Sequence, residues 1–236
     1  MLGYNPPMRK ALPVLSALAL VFLLVQSPLA KDPVPGKLKS RWPIKTSLPD
    51  HTDLKKTGAL ISLADFLALD PAAEHASTEF EKVRYDKAAG AKFGEGQILR
   101  TKGYVRLVAY EDDGDYHIQI TETPDTFENS LVVEVPNDND QFVTDAPDVL
   151  AAAKTVRAWV IHNLLHDAEP GLGSIHRMIG QAYVQVTGQL FFDSEHQAAM
   201  ASGVFRGKTI SNKKLPSKTS WELHPVTDMA FAPKPH

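Results

Sequence analysis

The central part of the chain alternates apolar and polar residues with the period of a β-strand. Gln97–Ala109 has this period and is rich in β-branched and aromatic residues, which predicts a first strand. Asp113-Gly114-Asp115 then interrupts it, and Asp-Gly is a strong hairpin signal because glycine accepts a positive φ. Tyr116–Thr121 resumes the alternation as a second strand, with His117 and Ile118 on opposite faces.

Three further strands are predicted from similar patterns. Leu131–Val135 is a short apolar strand, and Tyr183–Phe192 is a longer one in which Gly188 indicates a bend or bulge. Trp221–Phe231 is the last, and Pro225 within it requires an edge position or a bulge, because proline has no N–H to donate.

One helix is predicted between the third and fourth strands. Asp145 is a candidate N-cap, and the apolar residues that follow have helical spacing: Val149, Ala153, Val156, Val160 and Leu164. Three strands, a helix and two strands is the order of an OB-fold, a small Greek-key barrel. We therefore predict a mainly β protein with one central helix, built as a five-stranded OB-fold-like barrel with an N-terminal extension. A β-sandwich would show about seven strands and no central helix.

The N-terminal segment has the pattern of a secretory signal. Residues 1–30 contain a basic start, an apolar run at Ala11–Val25 that is too short to span a bilayer comfortably, and a small residue at a plausible cleavage point. We expect a periplasmic or secreted protein of the Sec-dependent type, with no stable membrane anchor once the signal is cleaved.

The remaining chain divides into a lead, a barrel domain and a tail. Residues 31–96 are interpreted as an extended lead whose first part, Lys31–Lys56, is a solvated tether. Its segment Ala59–Leu69 is predicted to be a short helix that packs onto the barrel domain. Residues 97–232 form the barrel domain, in which Asp193–Ser220 is predicted to be a long loop. Residues 233–236 are a loose tail.

Charge and cysteine content exclude several classes of protein. The chain of 236 residues has a net charge of −3 and no cysteine, so it has neither disulfides nor a thiol nucleophile. Loss of residues 1–30 removes two positive charges and takes the net charge to −5. An acidic protein is not attracted to nucleic acid or anionic lipid. The sequence also contains no Gly-rich phosphate loop and no G-x-S-x-G serine.

Polar side chains from distant segments are expected to meet at one end of the barrel. Pairing of the second and third strands places His117 opposite Glu134, and the loop between the fourth and fifth strands lies at the same end. The candidates for a site are His117, Glu134, Asp193, His196, Glu222 and His224, with Asp113 and Asp115 as weaker candidates. Imidazole and carboxylate groups suit a divalent metal, zinc or calcium, or acid–base chemistry. A buried polar network that pins loops to the barrel is the structural alternative.

Three functions are weighed for this set of polar residues. The favoured one is a non-catalytic exported binding module for a small molecule, a glycan or another protein. The alternative is a metal-dependent hydrolase of the phosphoesterase or nuclease-like type, with its histidine and carboxylate site at one barrel end. Oligonucleotide binding ranks third, because it needs basic grooves with exposed aromatic residues.

Four segments carry a resemblance to a known group of proteins. DGDYHIQI, LVVEVP, VTGQLFFDSEH and WELHPV together resemble an uncharacterised family of exported bacterial proteins. The resemblance covers Gly103–Phe231. It implies a single OB-like domain and no particular activity.

A second resemblance is to staphylococcal-nuclease-like OB domains, in which an Asp-Gly-Asp turn after the first strand begins the metal site. Asp113-Gly114-Asp115 occupies the matching place. The third strand of that family carries a catalytic arginine and leads into an Asp-Thr-Pro-Glu motif. Ser130–Asn137 contains neither, so the resemblance does not extend to the residues that cleave phosphodiesters.

Overall fold

The longest strands of the protein lie where the alternating pattern predicts them. The computed structural model describes residues 41–49, 58–69, 84–85, 91–139, 146–178 and 182–235. The helices are α1 Trp42–Lys45, α2 Leu63–Leu67, α3 Pro147–Asn163 and α4 Ser194–Ala201. The strands are β1 Ala59–Leu60, β2 Ile98–Tyr110, β3 Tyr116–Thr121, β4 Leu131–Val135, β5 Ile175–Arg177, β6 Tyr183–Phe192, β7 Thr209–Ile210, β8 Lys213–Lys214 and β9 Trp221–Phe231. The predicted signal at residues 1–30 and the predicted N-cap Asp145 lie outside the described residues.

Five strands close into a barrel. Their order is β2-β3-β4-β9-β6, and β6 pairs back onto β2. All neighbours are antiparallel except β4 and β9, which are parallel. The predicted mainly β barrel with one central helix is therefore confirmed, and each predicted barrel strand matches the observed one to within a residue.

The alternation of the strands separates an apolar interior from a polar outer face. Tyr116, Ile118 and Ile120 of β3 join the main apolar core, whereas His117 and Gln119 face the other way. Helix α3 carries the predicted apolar stripe, which ends at Leu164 just after the helix. All five residues of the stripe are buried. Among the described residues, no helix is long and apolar enough to cross a membrane.

Pro225 is accommodated by a bulge. Strand β9 lies between β4 and β6, so the proline is not on an edge strand. The register of β6 and β9 shifts on both sides of Gly188, as the sequence predicted for that glycine. A Cβ atom at Gly188 would lie 2.9 Å from the carbonyl oxygen of Pro225, so the absence of a side chain permits the close approach of the two strands.

The predicted solvated tether is wrong for residues 41–46. These residues form a turn and the short helix α1, and Trp42 is buried against Val149 of α3. The guanidinium of Arg41 binds both carboxylate oxygens of Glu95, at 2.9 and 2.6 Å. A tryptophan and a bidentate arginine give this short segment enough buried surface and polar pairing to dock on the barrel.

Ala59–Leu69 is helical over less of its length than predicted. Leu63–Leu67 forms α2, with the Ser62 hydroxyl accepting the N–H of Asp65 as an N-cap. Ala59 and Leu60 instead extend the sheet by pairing in parallel with β2. The predicted packing onto the barrel domain is confirmed, because Phe66 is fully buried in the main core.

The predicted long loop Asp193–Ser220 contains regular structure. It begins with helix α4, which is capped by the carboxylate of Asp193, and it continues into the hairpin of β7 and β8. Ile210 and Leu215 pack on Leu107 and Ala109 of β2. These two apolar residues in a polar stretch hold the hairpin against the outer face of the barrel.

Gly207 fixes the approach of this covering segment. Its φ is +115°, and a Cβ atom there would lie far inside contact distance of the carbonyl oxygen of Leu215. We expect Gly207→Ala to lower the free energy of unfolding by about 1–3 kcal/mol, as measured by urea denaturation. Gly171→Ala is the control, because its Cβ would meet nothing within 4 Å; equal effects of the two variants would contradict the prediction.

Candidate metal centre

Polar side chains line up across the outer face of three adjacent strands. His117 of β3 pairs directly with Glu134 of β4, as the sequence predicted. Val133 of β4 is in register with Leu223 of β9, which places Glu222 and His224 beside Glu134. The candidates thus meet on the outer wall rather than at the open end of the barrel, because their neighbours Ile118, Val133 and Leu223 fill the interior.

Glu134 is the centre of the resulting network. Its carboxylate lies 2.6 Å from Lys45 Nζ, 2.8 Å from His117 Nδ1 and 3.1 Å from Arg206 Nη2. Burial alone would raise the pKa of Glu134, but the charge of Lys45, together with His117 and Arg206, holds it well below its usual value. Glu134 is therefore an ionised carboxylate inside the protein.

Asp115 and His224 form a second pair beside Glu134. His224 Nε2 lies 3.1 Å from Asp115 Oδ2 and 3.8 Å from Glu134 Oε2. The other ring nitrogen of His224 lies 2.5 Å from the backbone oxygen of Lys45. Burial raises the pKa of Asp115, but the charge of Lys45 and the hydrogen bond with His224 outweigh it and lower that pKa.

Arg206 joins three carboxylates. It lies 2.5 Å from Glu222 Oε2 and 3.0 Å from Asp193 Oδ2, in addition to Glu134. Asp193 also contacts His196 Nδ1 at 2.5 Å. Burial favours a raised pKa for Asp193, but Arg206 and His196 lower it.

The network contains more carboxylates than fixed cations. Lys45, Arg206 and Lys208 face five carboxylates: Glu111, Asp115, Glu134, Asp193 and Glu222. Burial and the nearby charge of Glu134 raise the pKa of Glu222 to about 7, although Arg206 opposes this. The site thus favours additional positive charge, either as protons or as a cation.

Two buried atoms of the network have no hydrogen-bond partner within the part of the chain that the structure describes. They are Nε2 of His117 and Oε1 of Glu222, and these residues are only 3% and 0% exposed. Burying such atoms without a partner costs free energy. A ligand or a proton bound at either atom would remove this cost.

The eight predicted residues divide into three groups. Five of them meet in the network's centre: Asp115, His117, Glu134, Glu222 and His224. Asp193 and His196 form a flanking pair that connects to the centre through Arg206. Asp113 lies in the neighbouring turn, where its carboxylate accepts the backbone N–H of Asp115 and its carbonyl accepts the side-chain amide of Asn137.

The sequence reasoning missed the two cations at the centre. Lys45 lies in the predicted tether and Arg206 in the predicted loop, and Asp115 is only a weaker candidate in the sequence although it is fully buried. A usable signal existed, since several converging carboxylates cannot be buried without cationic partners. Trp42, in a segment rich in lysine and proline, is a signal that this segment docks on the barrel.

Three donor atoms of the centre lie close enough together that they could hold a metal ion. One oxygen of Asp115, one oxygen of Glu134 and one ring nitrogen of His224 lie within 4.8 Å of one another. Tetrahedral zinc, with ligands at 2.0–2.2 Å, requires neighbouring donors roughly 3.4 Å apart, so modest side-chain shifts would bring the three donors to this spacing.

Comparison of the chain with models of protein families, with curated proteins and with solved structures found no match.

Proposed function

We propose that this protein is an exported metal-binding module that holds a divalent transition-metal ion on Asp115, Glu134 and His224. The observation that carries the proposal is the convergence of these three donors from separate strands and turns on one covered face. The excess of carboxylates over fixed cations supports it, because a dication offsets more of this negative charge than the single charge of Lys45 does.

The hydrogen bond of His224 supports a metal-ligand role. Its Nδ1 faces the carbonyl oxygen of Lys45, so this nitrogen donates its hydrogen and Nε2 is directed at the two carboxylates. Metal-binding histidines usually donate their second ring N–H to a carbonyl or carboxylate in this way. The mixture of nitrogen and oxygen donors favours zinc over calcium, which prefers oxygen alone.

The wider proposal is that the barrel is an OB-fold that works outside the cytoplasm. The closed five-stranded order with a helix between the third and fourth barrel strands supports the OB-fold assignment. Export is proposed from the signal-like residues 1–30. A resemblance to uncharacterised exported bacterial proteins points the same way.

A metal-dependent hydrolase is the second candidate. Three protein donors leave a fourth position of a tetrahedral zinc ion free, which is the arrangement of catalytic zinc sites. Against it, Asp115 and His224 are 0% exposed and Glu134 is 3% exposed, so a substrate cannot reach the donors with residues 41–46 in place. Hydrolysis of bis(p-nitrophenyl) phosphate by the zinc-loaded protein would favour this candidate over a binding module.

Zinc binding is the direct test of the proposed site. We expect the chelator-treated protein to bind zinc stoichiometrically in isothermal titration calorimetry, and the replacement His224→Gln to weaken binding at least about 10-fold, since it removes the nitrogen donor. His162→Gln is the matched control, because that histidine side chain is 72% exposed and pairs with the similarly exposed Asp167.

Elemental analysis and thermal melts complete this experiment. Zinc at 100 times its dissociation constant should stabilise the wild-type protein by about 2.7 kcal/mol, and chelation should reverse the effect. Asp115→Asn provides a second ligand variant should His224→Gln not fold. Absence of zinc binding by the folded wild-type protein and by its folded Lys45→Met variant would overturn the proposal.

A further inference from the structure

We infer that the Lys45 ammonium is a tethered cation that occupies the proposed metal site and competes with the metal for it. The inference rests on the proposed function and concerns its regulation: the site holds either the side chain of Lys45 or a divalent ion, never both.

The distances make the two occupants mutually exclusive. Lys45 Nζ lies 2.6 Å from Glu134 Oε2 and 3.5 Å from Asp115 Oδ2. A zinc ion bound to the same glutamate oxygen would lie about 2.0–2.2 Å from it, so the two cations could be no more than about 4.8 Å apart. Asp115, Glu134 and His224 are buried, and repulsion between a dication and an ammonium at that separation is strong in a buried site.

Lys45 is held as a cation in the closed state. Burial lowers the pKa of Lys45, but the charges of Glu134 and Asp115 outweigh it and raise that pKa well above its ordinary value. The side chain is 7% exposed. Because Nζ is paired with both Glu134 and Asp115, the metal has to displace the side chain itself.

The backbone of the same residue supports the metal-binding form. The carbonyl oxygen of Lys45 contacts Nδ1 of His224 and orients the ring. Arg41 and Trp42 anchor the segment independently, through Glu95 and Val149. The Lys45 side chain can therefore leave the donors while its carbonyl stays in place, so the exchange requires a side-chain movement rather than undocking of the segment.

Substitution of Lys45 separates the charge from the backbone contact. Lys45→Met keeps an unbranched side chain and the backbone carbonyl but removes the ammonium, and we expect the dissociation constant for zinc to fall at least about 10-fold. Lys154→Met is the matched control. It makes the same change in net charge at an exposed position of α3, and its zinc affinity should equal that of the wild type.

A second readout uses the wild-type chain and needs no variant. We expect acetylation of Lys45 by an amine-reactive ester, quantified by mass spectrometry, to be slow without metal and to rise several-fold when zinc is added. Acetylation of the exposed Lys154 should be unaffected by zinc and calibrates the reagent.

The outcomes distinguish this inference from the proposed function. Tighter zinc binding by Lys45→Met together with zinc-dependent acetylation of Lys45 supports both. Equal zinc affinity of Lys45→Met and wild type, or unchanged acetylation in the zinc-loaded protein, overturns the competition and leaves the metal site standing. If neither the folded wild-type protein nor the folded Lys45→Met variant binds zinc, the metal site itself is overturned.

Discussion

Replacing Arg206 with methionine is expected to lower the free energy of unfolding by about 3–5 kcal/mol, which is the usual effect of removing one partner from a buried ion pair. Arg206 is the shared cation of Glu222, Asp193 and Glu134. Without it, the carboxylates of Asp193 and Glu134 lose a guanidinium partner that offsets their buried negative charges. Urea denaturation at pH 7 measures the difference.

Arg177→Met is the control for this prediction. Arg177 is exposed and donates to the hydroxyl of Ser211, so its loss should change stability by no more than about 0.5 kcal/mol.

The carboxylates also predict that the effect of Arg206→Met depends on pH. Arg206 lowers the pKa of Asp193, so this acid stabilises the wild-type fold above its ordinary pKa and the contribution is lost as the pH falls. The deficit of Arg206→Met should therefore shrink in acid, and a deficit that stays constant would contradict the assigned cause.

The barrel was predictable because its strands alternate cleanly. Apolar residues at every second position fill the interior, as Ile118 and Leu223 do, and a one-residue error in register would expose them all. The same constraint fixes the outward residues, which is why pairing of His117 with Glu134 followed from strand limits alone. The bulge at Gly188 and Pro225 was predictable because proline cannot take a regular place in an inner strand.

The covering segments could not be predicted in the same way. Lys45 and Arg206 lie 70 and 91 residues from Asp115 along the chain, in stretches without hydrophobic periodicity. Their positions depend on a few specific contacts, such as the pairing of Arg41 with Glu95 and the packing of Leu215 on β2. Propensity and periodicity carry no information about such contacts, so the carboxylates of the site were found while their cations were not.

Glu222 is expected to make the protein less stable as the pH rises from about 4.5 to about 7. Burial and the charge of Glu134 raise the pKa of Glu222 from 4.5 to about 7 in the folded state. Within that window the folded protein retains a proton that the unfolded chain has released, so stability falls with increasing pH, by about 3 kcal/mol across the window. Asp115, Glu134 and Asp193 have lowered pKa values, so their contributions change at more acidic pH.

The substitution Glu222→Gln isolates this effect, because glutamine keeps the shape and cannot ionise. In the presence of a chelator, the variant should match the wild type near pH 5 and exceed its free energy of unfolding by up to about 3 kcal/mol near pH 8. Glu128→Gln, at an exposed position of the chain, should keep the wild-type slope. A Glu222→Gln variant that is less stable than the wild type at pH 8 would instead mean that Arg206 holds Glu222 as a carboxylate, at 2.5 Å. In that case Glu222 would add its negative charge to the network at neutral pH, and the network would favour a bound cation more strongly.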